Sequence, residues 1–381
     1  MLNREIRKDR IRGCMLGGAV GDALGYAVEF LGENSIFTRY GEQGITAYEL
    51  DRKSGKAIIS DDTQMALFTA NGLLCAATRG NGNPRTDVAG AYQDWLHTQE
   101  AAWEKPGTKY EGSSWLLNVP ELYDRRAPGN TCLAALKAQK GKAPEEDCIA
   151  NPPNEKKGCG GVMRVAPMGL VYPDADIRKV DWEGAQLAAI THGHSLGYMP
   201  AAVLTHIIQR IVNSEEAVSL KDTVLEAWAV TAELFAGDKF LGKLEELIDR
   251  AVNLAENDRP DVENIHRLGE GWVGDEALVI ALYCALKYEH DFDKGIIASV
   301  NHRGDSDSTG AITGNILGAI HGYDSINEKW KTNLELKDVL LEMADDLARA
   351  DAVSADDSAW IRKYGKNRWK ENCRCIGCQL Q

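Results

Sequence analysis

Apolar residues recur at intervals of three and four along most of the chain, the spacing that puts them on one face of an α-helix. This periodicity predicts thirteen helices, at 9–30, 62–78, 88–99, 132–140, 182–192, 200–213, 220–236, 243–255, 275–288, 294–301, 309–321, 336–349 and 360–369. Strict alternation of apolar and polar positions is rare, and segment 44–48 is the best candidate for a short strand. Because strands and helices do not alternate, the pattern predicts an all-α fold.

Two stretches interrupt the helical pattern with proline and glycine. Segment 99–114 carries Pro106 and Gly107, and segment 141–161 carries three prolines and four glycines. Loops of this length inside a compact domain are often functional. We therefore expect both segments to be loops that contribute to a binding site.

Two of the predicted helices carry glycine at every fourth position. The positions are Gly13, Gly17, Gly21 and Gly25 in the first helix, and Gly310, Gly314 and Gly318 in the helix predicted at 309–321. Residues four apart share a helix face, so each set forms a bare stripe. Each such glycine costs about 1 kcal/mol relative to alanine. Close packing of another helix against the stripe would explain that cost.

Carboxylates and hydroxyls gather just before two predicted helices. Ser60, Asp61 and Asp62 precede one helix, and the other follows the run DSDS, from Asp305 to Ser308. Such residues are ordinary helix caps, with Ser308 or Thr309 in the capping position of the second helix. Capping does not require so many acids and hydroxyls together. Hard divalent cations take oxygen ligands of this kind, so a metal site is the alternative.

Net charge and hydropathy narrow the classes of partner. The formal net charge is −14, which argues against an unaided complex with nucleic acid or an anionic membrane surface. No run of about 18 apolar residues predicts a membrane-spanning helix. The N-terminal sequence MLNREIRKDRIRG lacks the apolar core of a signal peptide. We therefore expect a cytoplasmic protein without a membrane partner.

Nine cysteines are spread along the chain, most of them singly in apolar segments. This distribution is typical of reduced, buried thiols in a cytoplasmic protein. Segment 371–381 instead clusters Cys373, Cys375 and Cys378, and is interpreted as a separate tail. Three thiols can contribute to a zinc site, but a structural site needs four ligands and no fourth is evident.

Four segments in order resemble the ADP-ribosylglycohydrolase family: GCMLGGAVGDALGYAVEF, SDDTQMAL, GCGGVMRVAPMGL and GDSDSTGAITGNILGA. The resemblance covers roughly residues 10 to 330. It implies a single-domain orthogonal helical bundle, placed here at residues 1–370, with a binuclear site for Mg²⁺ or Mn²⁺. It also implies an enzyme that hydrolyses the C1″ bond between ADP-ribose and a modified protein side chain.

The resemblance also implies roles for individual residues. The metal ligands would be Ser60, Asp61, Asp62, Asp305, Asp307 and Ser308. The catalytic candidates are Glu29, Asp62 and Asp305, with Glu29 or Asp62 as general acid or base. Serine stands at positions 60 and 308, where the family often has threonine, and it keeps the hydroxyl.

Further residues are implied to contact the ADP-ribose. They are Gly158, Gly160, Gly161, Met163, Arg164, His192 and Arg303. On the residues alone, the glycines could form an ordinary turn. Arg164 could be a structural ion-pair partner, and His192 could be a packed or capping histidine. Arg303 stands where the family often has glycine and would touch the diphosphate or the modified partner. Trp272 could stack on adenine, although we favour a core position for it.

The resemblance favours a hydrolase for mono-ADP-ribosyl-arginine, with a modified protein as substrate and ADP-ribose as ligand. Such an enzyme would reverse a toxin-driven or regulatory modification. The alternative is a protein of the same fold that binds ADP-ribose or an ADP-ribosyltransferase toxin without turnover, as an immunity protein. A structural role is a third reading. Loss of the acidic residues from the ligand positions would favour the binding-only or the structural reading. In this sequence every expected acidic position is filled.

Overall fold

The computed structural model describes residues 3–80, 83–103, 110–353 and 357–366. Its helices are α1 (Arg4–Tyr26), α2 (Glu33–Tyr40), α3 (Asp61–Thr78), α4 (Arg85–Glu100), α5 (Asn130–Ala138), α6 (Met168–Val171), α7 (Ile177–Ala189), α8 (Ser195–Asn213), α9 (Leu220–Leu234), α10 (Leu241–Ala255), α11 (Asp261–His266), α12 (Gly274–Lys287), α13 (Phe292–Val300), α14 (Ser306–Ser325), α15 (Glu328–Lys331), α16 (Lys337–Arg349) and α17 (Ser358–Tyr364). Short 3₁₀ turns and two isolated β-bridges complete the described secondary structure.

The predicted all-α class is confirmed, and all thirteen predicted helices have a counterpart in the structure. The short helices α2, α6, α11 and α15 were not predicted, because four to eight residues are too few to establish a helical period. The tail at 371–381, with Cys373, Cys375 and Cys378, lies outside the described residues.

The strand predicted at 44–48 is wrong. The backbone N–H of Ile45 donates to Asn301 Oδ1 at 2.7 Å, and Asn301 Nδ2 donates to the Ile45 carbonyl at 3.0 Å. A side-chain amide therefore occupies the hydrogen-bonding groups that a neighbouring strand would need. Ile45 is buried whereas Ala47, which would share its face in a strand, is exposed, so the segment is an irregular loop.

The glycine stripes of α1 and α14 pack against each other in antiparallel register. A Cβ placed on Gly17 would lie 2.3 Å from the Gly314 carbonyl oxygen, and one on Gly21 would lie 1.9 Å from that of Gly310. Gly13 meets Gly318 in the same way. Only hydrogen fits at these positions, so the glycines permit backbone contact along the whole helix pair. This confirms close packing as the reason for the stripes.

The remaining helices surround this pair. The α8 and α12 helices are buried along most of their length, and α12 packs against α8, α10 and α14. One contiguous apolar cluster includes Ile11 of α1 and Trp360 of α17. Among the described residues, no helix has both the length and the apolar character needed to cross a membrane.

Candidate metal and substrate site

The antiparallel register of α1 and α14 brings the C-terminal end of one helix to the N-terminal end of the other. Glu29 follows α1 in a turn, and Asp305 and Asp307 lie at the start of α14. One carboxylate oxygen from each of these three residues lies within 4.8 Å of the other two. All three side chains are buried. The glycine contact between the helices therefore creates an acidic cluster at this end of the bundle.

Helix α14 begins three residues earlier than expected. Asp305 holds its N-cap position, and the side chain of Asp305 makes no capping hydrogen bond. Thr309, one of the two expected caps, instead donates its hydroxyl to the carbonyl of Ser299 at 2.7 Å. The capping interpretation of this run is therefore wrong for Ser308 and Thr309. The Asp305 carboxylate stays free of the backbone and available to a ligand.

A second group of acids comes from the N-terminus of α3. Ser60 is the N-cap, and its hydroxyl accepts from the backbone N–H of Asp62 at 3.2 Å. Asp61 Oδ2 accepts from the backbone N–H of Gly129 at 3.2 Å. The capping interpretation is thus confirmed for Ser60. The same hydroxyl also lies beside Asp61 and Asp62, so capping does not separate it from the acids.

Asp22 holds this helix end in place, although sequence reasoning gave it no role in the site. Its carboxylate accepts from the backbone N–H groups of Ser60 and Thr63, at 2.9 and 3.1 Å, and from the Thr63 hydroxyl. Asp22 lies on α1, so it ties α3 to the same helix that carries Glu29. Its sequence signal was an acid on the glycine-striped helix, seven residues before Glu29.

Within these two groups of acids, the buried oxygens Glu29 Oε2 and Asp62 Oδ2 have no hydrogen-bond partner among the described residues. A buried, unpartnered carboxylate oxygen is costly unless a cation or proton satisfies it. Oxygen-only donors of this kind, carboxylates with neighbouring hydroxyls, are what Mg²⁺ and Mn²⁺ prefer. The residues present therefore fit a hard divalent cation.

The electrostatics of the cluster lead to the same conclusion. Burial, and next the charge of Asp307, raise the pKa of Glu29 to about 10. The same two causes raise the pKa values of Asp61, Asp62 and Asp305 well above the ordinary range of a carboxyl group. These carboxylates repel one another in the absence of positive charge, so the cluster must bind protons or cations.

The predicted glycine loop closes one side of the acids. Residues Cys159–Gly161 form a 3₁₀ turn, and Gly158 pairs with Val273 in an isolated β-bridge. A Cβ on Gly158 would lie 3.2 Å from His192 Nε2, and one on Gly160 would lie 3.0 Å from His192 Cε1. The loop therefore lies directly against the imidazole of His192.

The environment of His192 keeps its ring neutral. Burial lowers the pKa of His192 to about 3, with the charge of Arg164 as the second cause. Its Nδ1 lies 2.9 Å from the hydroxyl of Thr191. A neutral ring packed under the glycine turn agrees with the structural role that the sequence left open.

Arg164 is fully buried. It donates to the Thr191 hydroxyl at 2.7 Å and to the Leu187 carbonyl at 3.3 Å, and its guanidinium lies 4.3 Å from the centre of the Tyr92 ring. All of these partners are protein groups in the interior. These contacts with neutral groups, rather than the ion pair that the sequence allowed, support a structural role for Arg164.

Met163 connects the glycine loop to α14. The hydroxyl of Ser308 donates to Met163 Sδ at 3.8 Å, so the thioether lies beside a predicted metal ligand. Gly161 packs against α8, where an added Cβ would lie 2.4 Å from the Gly197 carbonyl oxygen. The loop is therefore fixed between α8 and the acids.

Arg303 lies at the rim. Its side chain is largely exposed and pairs with Glu270 at 3.0 Å, and its backbone N–H donates to Glu33 Oε1 at 3.1 Å. The carbonyl of Glu270 in turn accepts from the backbone N–H of Asp305 at 2.8 Å. The rim arginine is thus connected through Glu270 to the backbone of the acidic cluster.

Trp272 is not a core residue, so that expectation is wrong. Its side chain is 43% exposed, and its carbonyl accepts from the backbone N–H of Cys159 at 3.3 Å. The preceding residue, Gly271, lies close to Asp305. A Cβ added to Gly271 would lie 3.2 Å from the Cβ of Asp305. An exposed indole therefore stands beside both the glycine loop and the acids.

Sequence comparisons show which known proteins this chain resembles. Residues 3–357 match the model of the ADP-ribosylglycohydrolase family. The chain is 28% identical to ADP-ribosylhydrolase ARH3 of Danio rerio over 373 residues, which span 89% of each protein. It is 26% identical to the ADP-ribosyl-[dinitrogen reductase] glycohydrolase of Rhodospirillum rubrum, over 86% of this chain and 91% of that protein.

The fold is also found among solved structures. An ADP-ribosylglycohydrolase-related protein complex contains a chain that superposes with a TM-score of 0.61 at 23% sequence identity. The match covers 91% of this chain and 99% of the other. This likeness confirms the predicted fold type.

Proposed function

The chain belongs to the ADP-ribosylglycohydrolase family, and on this premise we propose that it is a metal-dependent hydrolase that removes ADP-ribose from modified protein side chains. The bond cleaved is the glycosidic bond at C1″ of the distal ribose. One observation carries the proposal: buried oxygens of Glu29, Asp305 and Asp307 converge within 4.8 Å, beside orphaned oxygens of Glu29 and Asp62. No packing role accounts for so many buried acids.

The proposed cofactor is a pair of Mg²⁺ or Mn²⁺ ions. The residues that would hold them are Ser60, Asp61, Asp62, Asp305, Asp307 and Ser308. When bound, such ions would neutralise the carboxylates, orient the ribose hydroxyls and polarise a water molecule. The two hydroxyl ligands lie at the ends of α3 and α14 that Asp22 and the glycine stripes hold together.

Proton transfer is proposed to use the two free carboxylate oxygens, Glu29 Oε2 and Asp62 Oδ2. Neither accepts a hydrogen bond from a described residue, so each can hold a proton or accept one. Cleavage at an anomeric carbon passes through a cationic, oxocarbenium-like transition state. The surrounding acids, Asp305 among them, would stabilise that developing charge.

The glycine loop is proposed to bind the diphosphate of ADP-ribose. Gly158, Gly160 and Gly161 lack side chains, so their backbone can approach phosphate oxygens closely. The neutral His192 would sit beneath the loop and Met163 behind it. Arg303, at the rim, would supply positive charge to the diphosphate or to the modified partner.

We propose mono-ADP-ribosyl-arginine as the favoured linkage. The guanidinium group is a cation, and a chain of net charge −14 with a cluster of acids in its site would attract it. The name of the Rhodospirillum rubrum relative describes removal of ADP-ribose from a protein, dinitrogen reductase. Reversal of a regulatory or toxin-driven modification is the corresponding role proposed here, in the cytoplasm. The retained acids give no support to the binding-only alternative.

The test is release of ADP-ribose from two substrates, an arginine-linked and a serine-linked mono-ADP-ribosylated protein, with Mg²⁺ or Mn²⁺ present. We expect release from the arginine-linked substrate, abolished by EDTA and by Asp305→Ala. Asp291→Ala is a matched control, because Asp291 caps α13 on the surface. Release only from the serine-linked substrate would show that the enzyme cleaves the serine linkage and not the arginine linkage. If neither substrate released ADP-ribose while Mn²⁺ was bound, the proposed hydrolase function would be wrong.

A further inference from the structure

A largely buried ion pair joins the loop before α5 to the loop before α16. Its members are Arg126 and Glu335, which are 209 positions apart in the chain, and Arg126 Nη2 lies 2.9 Å from Glu335 Oε1. Arg126 also pairs with the exposed Asp124 at 2.9 Å. Removing one partner of a buried pair leaves the other charge uncompensated, so the two loops depend on each other.

Glu335 holds the segment of chain that leads into α3. Its backbone N–H donates to the Ala57 carbonyl at 3.0 Å, and the Ala57 N–H donates to the Asn333 carbonyl at 2.8 Å. The second carboxylate oxygen, Glu335 Oε2, accepts from the backbone N–H of Ile59 at 3.2 Å. The chain is therefore fixed at the residue directly before Ser60.

The backbone at Arg126 holds the next residue of the acidic site. The Arg126 carbonyl accepts from the backbone N–H of Asp61 at 3.1 Å. Three residues further on, the backbone N–H of Gly129 donates to Asp61 Oδ2 at 3.2 Å. One member of the ion pair thus fixes the chain before Ser60, and the other belongs to the loop that binds Asp61 itself.

Backbone strain is concentrated in the same two loops. In the part of the chain that the structure describes, three non-glycine residues have positive φ: Ala127 (52°), Asn333 (63°) and Leu336 (56°). Ala127 follows Arg126 directly, and the other two lie within two residues of Glu335. A left-handed backbone is unfavourable for alanine and leucine, and it persists where the surroundings enforce it, commonly at functional sites.

We infer that the ion pair of Arg126 and Glu335 positions Asp61 for metal binding, without either member binding the ion. The inference rests on the proposed function, because it assumes that Asp61 is a ligand. Mg²⁺ demands near-ideal octahedral geometry, so a ligand carboxylate must be held in a fixed orientation. Residues that orient the ligands of a metal typically change its affinity by about 10–100-fold when they are replaced.

A purely structural role for the ion pair makes a different prediction. Arg85 and Glu183 form a comparable pair at 3.3 Å, which joins α4 to α7 rather than the loops at the start of α3. Their side chains are 13% and 6% exposed, against 16% and 7% for Arg126 and Glu335. If both pairs acted through stability alone, Glu335→Gln and Glu183→Gln would affect metal binding alike.

The experiment measures the Mn²⁺ affinity of the metal-free full chain by electron paramagnetic resonance, and its stability by urea denaturation. We expect Glu335→Gln and Arg126→Gln each to lower Mn²⁺ affinity about tenfold or more. The matched control Glu183→Gln should lose a similar amount of stability and keep its Mn²⁺ affinity within about twofold.

Two further variants test whether the two side chains act as a pair. Arg126→Lys keeps a cation beside Glu335, so it should retain more Mn²⁺ affinity than Arg126→Gln. The double variant of Arg126→Gln and Glu335→Gln should lose no more affinity than either single variant, because each substitution already breaks the pair. If Glu335→Gln fails to fold, the comparison of Arg126→Lys with Arg126→Gln still decides the question.

Mn²⁺ affinity within about twofold of the unsubstituted protein in Glu335→Gln would overturn the inference, as would an equal loss in Glu183→Gln. Equal losses in Arg126→Lys and Arg126→Gln would also contradict it. Failure of the proposed function gives a different result, because the unsubstituted protein would then bind no Mn²⁺ or, with Mn²⁺ bound, release no ADP-ribose.

Discussion

The carboxylate of Asp22 accepts a hydrogen bond from the backbone N–H of Ser60 at 2.9 Å, joining the glycine-striped face of α1 to the N-cap of α3. Asp22 is fully buried, and Thr63 donates to it as well. Two parts of the acidic site, Glu29 after α1 and Asp61 with Asp62 on α3, are thereby held at a fixed separation.

Replacing Asp22 with asparagine tests this connection. An amide can accept fewer of these hydrogen bonds than a carboxylate, so we expect Asp22→Asn to lower the free energy of unfolding by about 1–3 kcal/mol. Mn²⁺ affinity should also fall, because α3 loses its anchor. Urea denaturation and calorimetric titration with Mn²⁺ measure the two effects.

The control is Asp291→Asn, which alters an exposed capping aspartate of α13. Asp291→Asn should lower the free energy of unfolding by about 1 kcal/mol or less and leave Mn²⁺ affinity unchanged. If both variants lost stability equally and neither lost Mn²⁺ affinity, Asp22 would be an ordinary cap.

Removing one glycine contact should affect both stability and the site. In Gly17→Ala the new methyl group would lie 2.3 Å from the Gly314 carbonyl oxygen, so α1 and α14 must separate. We expect a loss of about 1–3 kcal/mol in thermal or urea unfolding. Metal affinity should fall as well, since the two helices carry Glu29 and Asp305 to the cluster.

Gly242→Ala is the matched control for Gly17→Ala. Gly242 lies inside α10, and an added Cβ would meet no atom within 4 Å. This variant should be more stable by about 0.4–1 kcal/mol, because alanine restricts the unfolded chain. Equal effects of the two substitutions would contradict backbone contact between α1 and α14.

Chelation should reverse the usual effect of acid on stability. The folded-state pKa values of Asp22 (about 7) and Glu29 (about 10) lie above their ordinary values of 3.8 and 4.5. At pH values between the ordinary and the folded-state pKa of each group, the folded state binds more protons than the unfolded state. The free energy of unfolding therefore falls as the pH rises through this range. EDTA-treated protein should unfold at a higher temperature at pH 5 than at pH 8.

Added Mn²⁺ should remove this difference, because the cation replaces the protons and binds only the folded state. Calorimetric scans at the two pH values, with EDTA or with Mn²⁺, make the comparison. A metal-free protein that is more stable at pH 8 than at pH 5 would show that the cluster does not govern stability in this range.

Arg164→Lys distinguishes a structural arginine from a ligand-binding one. A lysine cannot reproduce the bonds to Thr191 and Leu187 or the stacking on Tyr92. We expect a loss of about 1–3 kcal/mol in unfolding free energy with KM little changed. Exposed Arg178→Lys should change stability by less than about 0.5 kcal/mol. A raised KM at full stability would instead place Arg164 in contact with substrate.

Trp272→Ala tests whether the exposed indole binds the adenine. A tryptophan that is 43% exposed contributes little to folding, so stability should change by less than about 0.5 kcal/mol. Stacking of a base on an aromatic ring is worth about 1–3 kcal/mol, so KM should rise roughly tenfold. Leu225→Ala, at a comparably exposed apolar position, should leave KM unchanged. An unchanged KM in Trp272→Ala would exclude the stacking role.

The sequence by itself determined the helical class, the glycine stripes and the acidic residues. Helical periodicity is a local property, so the long helices could be read from it with boundaries shifted by a few residues. The stripes predicted close packing, since bare glycine faces have little other use. The predicted acids Asp305, Asp307 and Glu29 do gather in the structure.

Only the tertiary structure decided which residues meet. The partners of Asp22, the burial of Arg164 and the exposure of Trp272 depend on contacts between segments far apart in the chain, and such contacts leave no local pattern. The same holds for segment 44–48, where Asn301 takes the place of a strand partner. Burial and pairing across the chain, rather than residue type, set the chemistry of each of these groups.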